Sequence, residues 1–258
     1  MHVDGVLAGL LVAAFLAGGI DAIVGGGGLI QLPALFSALP GTPPATLLGT
    51  SKLAGFAGTA SATLRYARAV TFPWRVLTPA LGVAFASAVG GAIVVTQVSP
   101  AFFRPLVPVL LTAVLAYTLL RPDLGGEHRP RTLDRTSALG GLALVGAIGF
   151  YDGFFGPGTG SFLMLVFIRH YGFDFINAAA AARLVNVATN LAALAWFGAR
   201  GHVLWPTGLA MAVANVAGAQ VGTRLALTRG TGFVRGVFVT VVSALILKTG
   251  WAAFAPGP

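Results

Sequence analysis

The chain contains no cysteine and very few charged residues. Charged side chains make up 9% of its 258 residues, against about 25% in soluble domains. The missing cysteines exclude disulfides, thiolate metal sites and thiol-based redox chemistry. So few charges could not cover the surface of a soluble domain of this length, and the composition therefore excludes an ordinary soluble protein.

Apolar residues make up 56% of the chain and come in runs of membrane-spanning length. Because the runs are continuous rather than alternating, they exclude a transmembrane β-barrel. We therefore predict an all-α polytopic membrane protein. Two apolar runs, 29–39 and 161–168, are too short to cross as helices. The predicted spans are 6–24, 45–64, 76–96, 102–120, 139–155, 176–197, 203–223 and 233–254.

A glycine-rich stretch occurs twice in the chain, first after Asp21 and again after Asp152. The offset in the numbering is 152 − 21 = 131, and the same offset places Lys52 on Arg183. We predict two repeats related by this offset, each a glycine-broken, re-entrant-type helix hairpin followed by three transmembrane helices. The predicted boundaries are 1–121 for repeat 1, 122–137 for a polar cytoplasmic linker and 138–258 for repeat 2.

The distribution of arginine and lysine predicts how the two repeats are oriented. If each hairpin returns to its starting side, one face collects eleven basic residues and the other three. Parallel repeats would give nine against five. The positive-inside rule favours inverted repeats with both termini on the non-cytoplasmic side. The net charge of +9 then reflects topology, and we expect no nucleic-acid partner.

The glycine breaks are the predicted binding site. A short helix that starts after them presents free N–H groups and the positive end of its dipole, which suits an anion. Broken helices persist in a bilayer only where protein or a wet cavity surrounds them. The alternative is that the glycines only allow close helix packing.

Lys52 and Arg183 each lie in the middle of a predicted span, where a cation is costly and usually functional. They either bind an anion or form structural ion pairs with Asp21 or Asp152. These two acids are proton-coupling candidates, because burial disfavours the charged carboxylate, or they are helix caps and partners for the cations. The candidate substrate-binding residues are Lys52, Arg183, Gly25, Gly26, Gly27, Gly28, Gln31, Thr50, Ser51, Gly156, Gly158, Thr159, Gly160, Ser161, Asn186 and Asn190.

The sequence does not favour an enzyme. All four histidines fall in predicted loops, so none can activate Ser161 within the membrane. No set of histidine and acidic residues has metal-ligand spacing, and we expect neither a metal nor a cofactor. A passive anion channel remains the alternative to a transporter, since glycine-lined constrictions also occur in pores.

The segment Gly-Phe-Tyr-Asp-Gly-Phe-Phe-Gly-Pro-Gly-Thr-Gly-Ser-Phe at 149–162, the glycines at 25–28 and the basic residue in each following span resemble the sulfite exporter TauE/SafE family of permeases. The resemblance covers essentially the whole chain. It implies a multi-pass permease of the bacterial inner membrane that moves small sulfur-containing anions such as sulfite, sulfoacetate or similar sulfonates. It also implies proton coupling, with Gly25–Gly28, Lys52, Gly156–Gly160 and Arg183 at the site. The expected partners are the anion, protons and the lipid bilayer, and the oligomeric state, a homodimer included, stays open.

Overall fold

The computed structural model describes residues 2–97, 128–131 and 134–254, with the side chains of 2–4, 242 and 245–254 excepted. The predicted span at 102–120 and half of the predicted linker, residues 122–127 and 132–133, lie outside the described residues. Within them the regular elements are eight helices: α1 (His2–Val24), α2 (Gly28–Ala38), α3 (Pro44–Tyr66), α4 (Trp74–Val95), α5 (Arg135–Phe154), α6 (Thr159–Arg169), α7 (Phe175–Ala199) and α8 (Trp205–Phe254).

The helix boundaries follow the sequence duplication. The helices α2, α3 and α4 begin at residues 28, 44 and 74, and α6, α7 and α8 begin at 159, 175 and 205. Every pair of start positions is separated by the same offset as Asp21 and Asp152, the offset of the repeated motif. We call α1–α4 the first module and α5–α8 the second.

Local signals explain several of these boundaries. Pro44 stands at the first position of α3, where its missing N–H has no helical partner to lose. The side chain of Asp134 accepts a hydrogen bond from the Ser137 N–H at the start of α5, at 3.4 Å. Asp174 caps α7 in the same way through the Asn177 N–H, at 2.7 Å. These caps satisfy backbone donors that helices otherwise leave free.

Each module begins with a hairpin of one long and one short helix. The 11 residues of α2 span about 16 Å, roughly half of a bilayer's hydrocarbon core. The start of α1, the end of α2 and the start of α3 meet in one cluster that contains Leu10, Leu35 and Leu47. The far ends of α1 and α3 are joined where the Tyr66 hydroxyl donates to the Ala22 carbonyl, at 3.0 Å. The short helix α2 therefore returns the chain to the end at which α1 started.

Four helices of the described residues are long and apolar enough to cross a membrane: Gly5–Val24, Trp74–Val95, Arg135–Phe154 and Phe175–Ala199. They agree with four of the predicted spans. The helix α3 matches the predicted span 45–64 in length but is not among these four. It packs between α7 and α8, and 14 of its 23 residues are buried, so its polar side chains face protein rather than lipid.

The sequence predicted a loop between 223 and 233, and the structure differs there. Helical structure continues through α8 and is interrupted at one residue, Gly230, with φ 78° and ψ −175°. This positive φ favours glycine, which has no Cβ to clash with the backbone. One glycine thus breaks the helix where a loop was predicted.

The two modules interlock through small residues. In the first contact, α1 packs along α8, and a Cβ added to Gly218 would collide with the Phe15 carbonyl. In the equivalent contact, α4 packs along α5, and a Cβ on Gly91 would collide with the Phe150 carbonyl. Glycine lets the helix backbones approach closely, as in other membrane helix pairs. The helices α3 and α7 lie against each other and carry Lys52 and Arg183.

Candidate functional site

The two glycine breaks have the same backbone geometry at their first residue. Gly25 has φ 84° and Gly156 has φ 95°, both in the left-handed region. Their N–H groups close the last turns of α1 and α5, Gly25 onto the Asp21 carbonyl at 2.9 Å and Gly156 onto the Tyr151 carbonyl at 3.1 Å. Glycine ends each helix here and turns the chain into α2 or α6.

The breaks of the two modules touch each other. A Cβ added to Gly25 would collide with the backbone of Gly160, and one added to Gly160 would collide with Gly25. Next to this contact, the Ser161 hydroxyl donates to the carbonyl of Val24, the last residue of α1, at 2.7 Å. Glycine is therefore required here both by φ and by the close approach of two backbones.

Each intramembrane cation lies at the break of the opposite module. Lys52, from the first module, forms an ion pair with Asp152 of the second, with 2.9 Å between Nζ and Oδ1. Arg183, from the second module, lies against the first break, with Nη2 2.6 Å from the position of a Cβ on Gly25. The two repeat-related cations thus occupy equivalent places, each at the glycine break of the other module.

Arg183 is completely buried, with 0% of its surface exposed. None of its three guanidinium nitrogens has a hydrogen-bond partner among the described residues. Asp21 lies within electrostatic range of Arg183, and its Oδ1 accepts the Gly27 N–H at 3.2 Å. A buried guanidinium without hydrogen bonds is costly, so the site has unused capacity to bind an acceptor.

A polar cavity lies between the two breaks. It holds about 50 Å³ of space for the centres of water-sized spheres. One water needs about 10–15 Å³ by that measure, so the cavity fits three to five waters or one small anion. Its lining residues are Asp21, Gly25, Gly27, Gly28, Gln31, Leu32, Leu48, Ser51, Lys52, Gly55, Thr59, Asp152, Phe155, Gly156, Gly160, Asn186, Asn190 and Asn215.

Most of the predicted site residues line this cavity, and a minority lie behind it. Thr50 links α3 to the start of α8, since its hydroxyl donates to the Thr46 carbonyl at 2.7 Å and accepts the Leu204 N–H at 3.0 Å. Thr159 donates to the Gly156 carbonyl at 2.6 Å and stabilises the second break. The predicted residues that do not line the cavity are Gly26, Thr50, Gly158, Thr159, Ser161 and Arg183.

Sequence reasoning missed three polar or small cavity residues, Gly55, Thr59 and Asn215. The first two could have been found, because they are the repeat counterparts of Asn186 and Asn190. Asn215 carries no such signal, since its repeat counterpart is Ala84. It lies on α8 and donates from Nδ2 to Gln31 Oε1 at 2.9 Å.

The architecture and its buried charges define a multi-pass helical membrane protein with an internal polar site. Residues 10–249 match the family described as Sulfite exporter TauE/SafE, and the chain belongs to this family of membrane transporters. No solved structure matches the chain.

Three relatives extend the match over nearly the whole chain. It is 42% identical over 242 residues to a "Probable membrane transporter protein ORF9" of Sinorhizobium sp, covering 94% of this chain and 91% of the relative. It is 37% identical over 252 residues to a "Probable membrane transporter protein" of Haemophilus influenzae, covering 96% and 97%. It is 38% identical over 241 residues to the "Probable membrane transporter protein YfcA" of Escherichia coli K12, covering 93% and 87%.

Proposed function

We propose that this transporter moves a small sulfur-containing anion, such as sulfite or a small sulfonate, across the bacterial inner membrane together with a proton. The single observation that carries the proposal is the fully buried Arg183, which lies beside the cavity without a hydrogen-bond partner among the described residues. The family description supplies the sulfur-containing cargo class.

Two glycines separate the Arg183 guanidinium from the cavity, so its charge is felt there. Its Nη2 lies directly behind Gly25 and Gly160, both of which line the cavity and have no side chain to screen the charge. Lys52 lines the cavity itself. An anion between the breaks is therefore close to two cations in a site of low dielectric, where electrostatic attraction is strong.

The charges of the site support one proton for each monoanion. Two cations and two acids, Asp21 and Asp152, sum to zero when all four are ionised. A bound monoanion would leave the site with one uncompensated negative charge, and one proton restores neutrality. Asp152 is held by Lys52, whereas Asp21 has no ion pair among the described residues. Asp21 is therefore the preferred proton carrier.

Contacts between helices of the two modules support an inverted arrangement. Along α3 and α7, Gly49 lies against Phe197 while Gly55 lies near Asn190, so the residue numbers run in opposite directions. Along α4 and α5 they run in the same direction, as Gly146 lies near Val83 and Gly153 near Ala88. The second module then runs opposite to the first, as the basic residues predict. Both termini would lie on the non-cytoplasmic side.

The closed side of the cavity supports alternating access. Towards the C-terminal ends of α3 and α6, each of which has one arginine in its last turn, the Gly25–Gly160 contact and the Ser161–Val24 hydrogen bond seal the breaks. Behind them lies an aromatic cluster, Tyr66, Phe72, Phe167, Tyr171, Phe173 and Phe175. On the opposite side the cavity reaches Leu32 and Leu48. In our proposal, rocking of the modules opens the sealed side and closes the other.

Uptake into proteoliposomes tests the proposal. We expect sulfite and sulfoacetate to accumulate in an alkaline lumen in a saturable manner, and sulfoacetate is included because its sulfonate stays ionised. Arg183→Met should abolish accumulation, and Asp21→Asn should remove its dependence on the pH gradient. The exposed Arg68→Met serves as the matched arginine control, together with protein-free vesicles.

Two outcomes would change the conclusion. Flux that neither saturates nor follows the pH gradient would favour the passive anion channel. Equal transport by the wild type and by Arg183→Met would remove the observation on which the anion site rests.

A further inference from the structure

Three buried polar side chains from three helices form a chain of hydrogen bonds at one wall of the cavity. Asn215 of α8 donates from Nδ2 to Gln31 Oε1 at 2.9 Å. Gln31 of α2 donates from Nε2 to both the backbone carbonyl and the hydroxyl of Ser51 on α3, each at 2.9 Å. At most 9% of each residue's surface is exposed.

The direction of this chain is fixed by one atom that can only accept. The Ser51 carbonyl requires an N–H, so the amide nitrogen of Gln31 must face it. The amide oxygen of Gln31 then faces Asn215, which must supply its own N–H. Because the second N–H of Gln31 goes to Ser51 Oγ, that hydroxyl accepts, and its own hydrogen is left to donate elsewhere.

This chain of hydrogen bonds has no counterpart at the equivalent positions of the other repeat. The repeat counterparts of Gln31, Ser51 and Asn215 are Phe162, Ala182 and Ala84, none of which carries a polar side-chain group. The equivalent helices nevertheless start at equivalent positions, so the fold does not require the network.

Glycines make room for Asn215 at this place. A Cβ added to Gly58 would collide with Asn215 Oδ1, and one added to Gly18 would collide with the Asn215 carbonyl. Two helices of the first module, α1 and α3, therefore hold this residue of the second module in position. A residue held in this way can set the orientation of its neighbours across the boundary between the modules.

We infer that Asn215 is a positioning residue that turns the Ser51 hydroxyl into a hydrogen-bond donor for the cargo. The inference rests on the proposed function and deepens it. Ser51 and Lys52 are consecutive cavity residues, so a donor and a cation face the same space. This combination recognises an anion whose oxygens only accept hydrogen bonds, as those of a sulfonate or a fully ionised sulfite do.

The substitution Asn215→Asp keeps the shape of the side chain but replaces the N–H that Gln31 accepts with a second acceptor. The carboxylate has no N–H for Gln31 Oε1, so two acceptors face each other. The Gln31 oxygen finds a donor only if the amide turns, and the Ser51 hydroxyl then donates to Gln31 instead of to the cargo. The Ser51 carbonyl loses its N–H donor in the same turn, so this rearrangement also lowers stability. We expect sulfite and sulfoacetate to bind at least about tenfold more weakly, as when one hydrogen bond to a charged group is lost. Calorimetry on the purified protein measures this change, with the exposed Gln97→Glu as the matched amide-to-carboxylate control.

A double-mutant cycle with Ser51→Ala tests whether Asn215 acts through the hydroxyl. We expect Ser51→Ala to weaken binding by a similar factor, and the double variant to bind much more tightly than the product of the two single losses predicts. Fully multiplicative losses would mean that Asn215 acts independently of Ser51. Unchanged binding by Asn215→Asp would overturn the inference as well.

The hydrogen bond itself is tested without any anion. Asn215→Asp and Gln31→Leu should be coupled in the unfolding temperature, since each removes the same contact. If this coupling is absent, the network is wrong whatever the cargo. If it is present but the wild type binds neither anion, the proposed cargo class fails, and with it the role assigned to Asn215.

Discussion

Variants of the ion pair between Lys52 and Asp152 distinguish a structural role of these buried charges from a role in transport. Its side chains are 8% and 5% exposed and lie 2.9 Å apart. Lys52→Met would leave the Asp152 carboxylate buried without its partner. Breaking a buried pair in this way costs about 3–5 kcal/mol. At about 2–4 °C per kcal/mol for a chain of this size, the unfolding temperature should fall by roughly 6–20 °C.

Removing both charges should have the opposite effect on stability. Replacing a buried ion pair by neutral residues of similar volume is often neutral or stabilising. We therefore expect Lys52→Met combined with Asp152→Asn to recover most of the lost unfolding temperature. Anion transport should be abolished both in Lys52→Met and in the double variant, because neither has a cation at residue 52 to face the cavity.

The assays are thermal unfolding in detergent, in buffer without the candidate anions, and uptake into proteoliposomes. Arg229→Met, which removes an exposed cation from α8, should change stability by no more than about 0.5 kcal/mol. A double variant as unstable as Lys52→Met alone would show that the pair is not the source of the loss. A double variant that transports normally would refute the role of Lys52 in binding the cargo.

Three further predictions follow from the contacts around the breaks and from the start of α5. Gly25→Ala should abolish uptake, because φ is 84° and the new Cβ would collide with the Gly160 backbone. Gly82→Ala in α4 is the control, since its Cβ would meet nothing within 4 Å and uptake should stay unchanged. Ser161→Ala should lower the free energy of unfolding by about 1–3 kcal/mol in denaturant titrations, since the buried Val24 carbonyl loses its donor. The hydrogen bond from Ser137 lowers the pKa of Asp134 below the ordinary 3.8. The ionised cap therefore stabilises the fold above pH 3.8, and this contribution is lost as the pH falls through the lower pKa of the folded state. Asp134→Asn keeps a helix cap that does not titrate. The unfolding temperature of this variant should therefore depend less on pH below about pH 4, and a pH series of melting curves would measure this dependence.

The sequence predicted much of the local structure because the duplication constrains it twice. Two glycine stretches at equivalent places in the repeats predicted two helix breaks, and Gly25 and Gly156 indeed share a positive φ. The continuous apolar runs located α1, α2 and α6 to within a few residues. It was less informative for α8, because the apolar runs do not distinguish a loop from a break at one glycine, Gly230.

The pairing of the charged residues could not be predicted from the same pattern. The sequence left open whether Lys52 meets Asp21 of its own module or Asp152 of the other, since both lie near a break. The answer depends on how the modules interlock, and that depends on many small contacts such as Gly218 against Phe15. Asn215 was missed for a related reason, because a single asparagine in an apolar helix shows its importance only once its neighbour Gln31 is known.

In the proposed mechanism, the crossed arrangement of charges couples the movement of the two modules to the binding of the cargo. Lys52 and Asp152 belong to different modules, and so do Arg183 and Asp21. Any rocking of one module against the other changes both distances, and separating buried opposite charges is costly. An anion that replaces a carboxylate beside a cation, and a proton that neutralises the carboxylate left behind, would together lower this cost. An unloaded or half-loaded transporter would then move more slowly than a loaded one, which is the condition for coupled transport rather than leak.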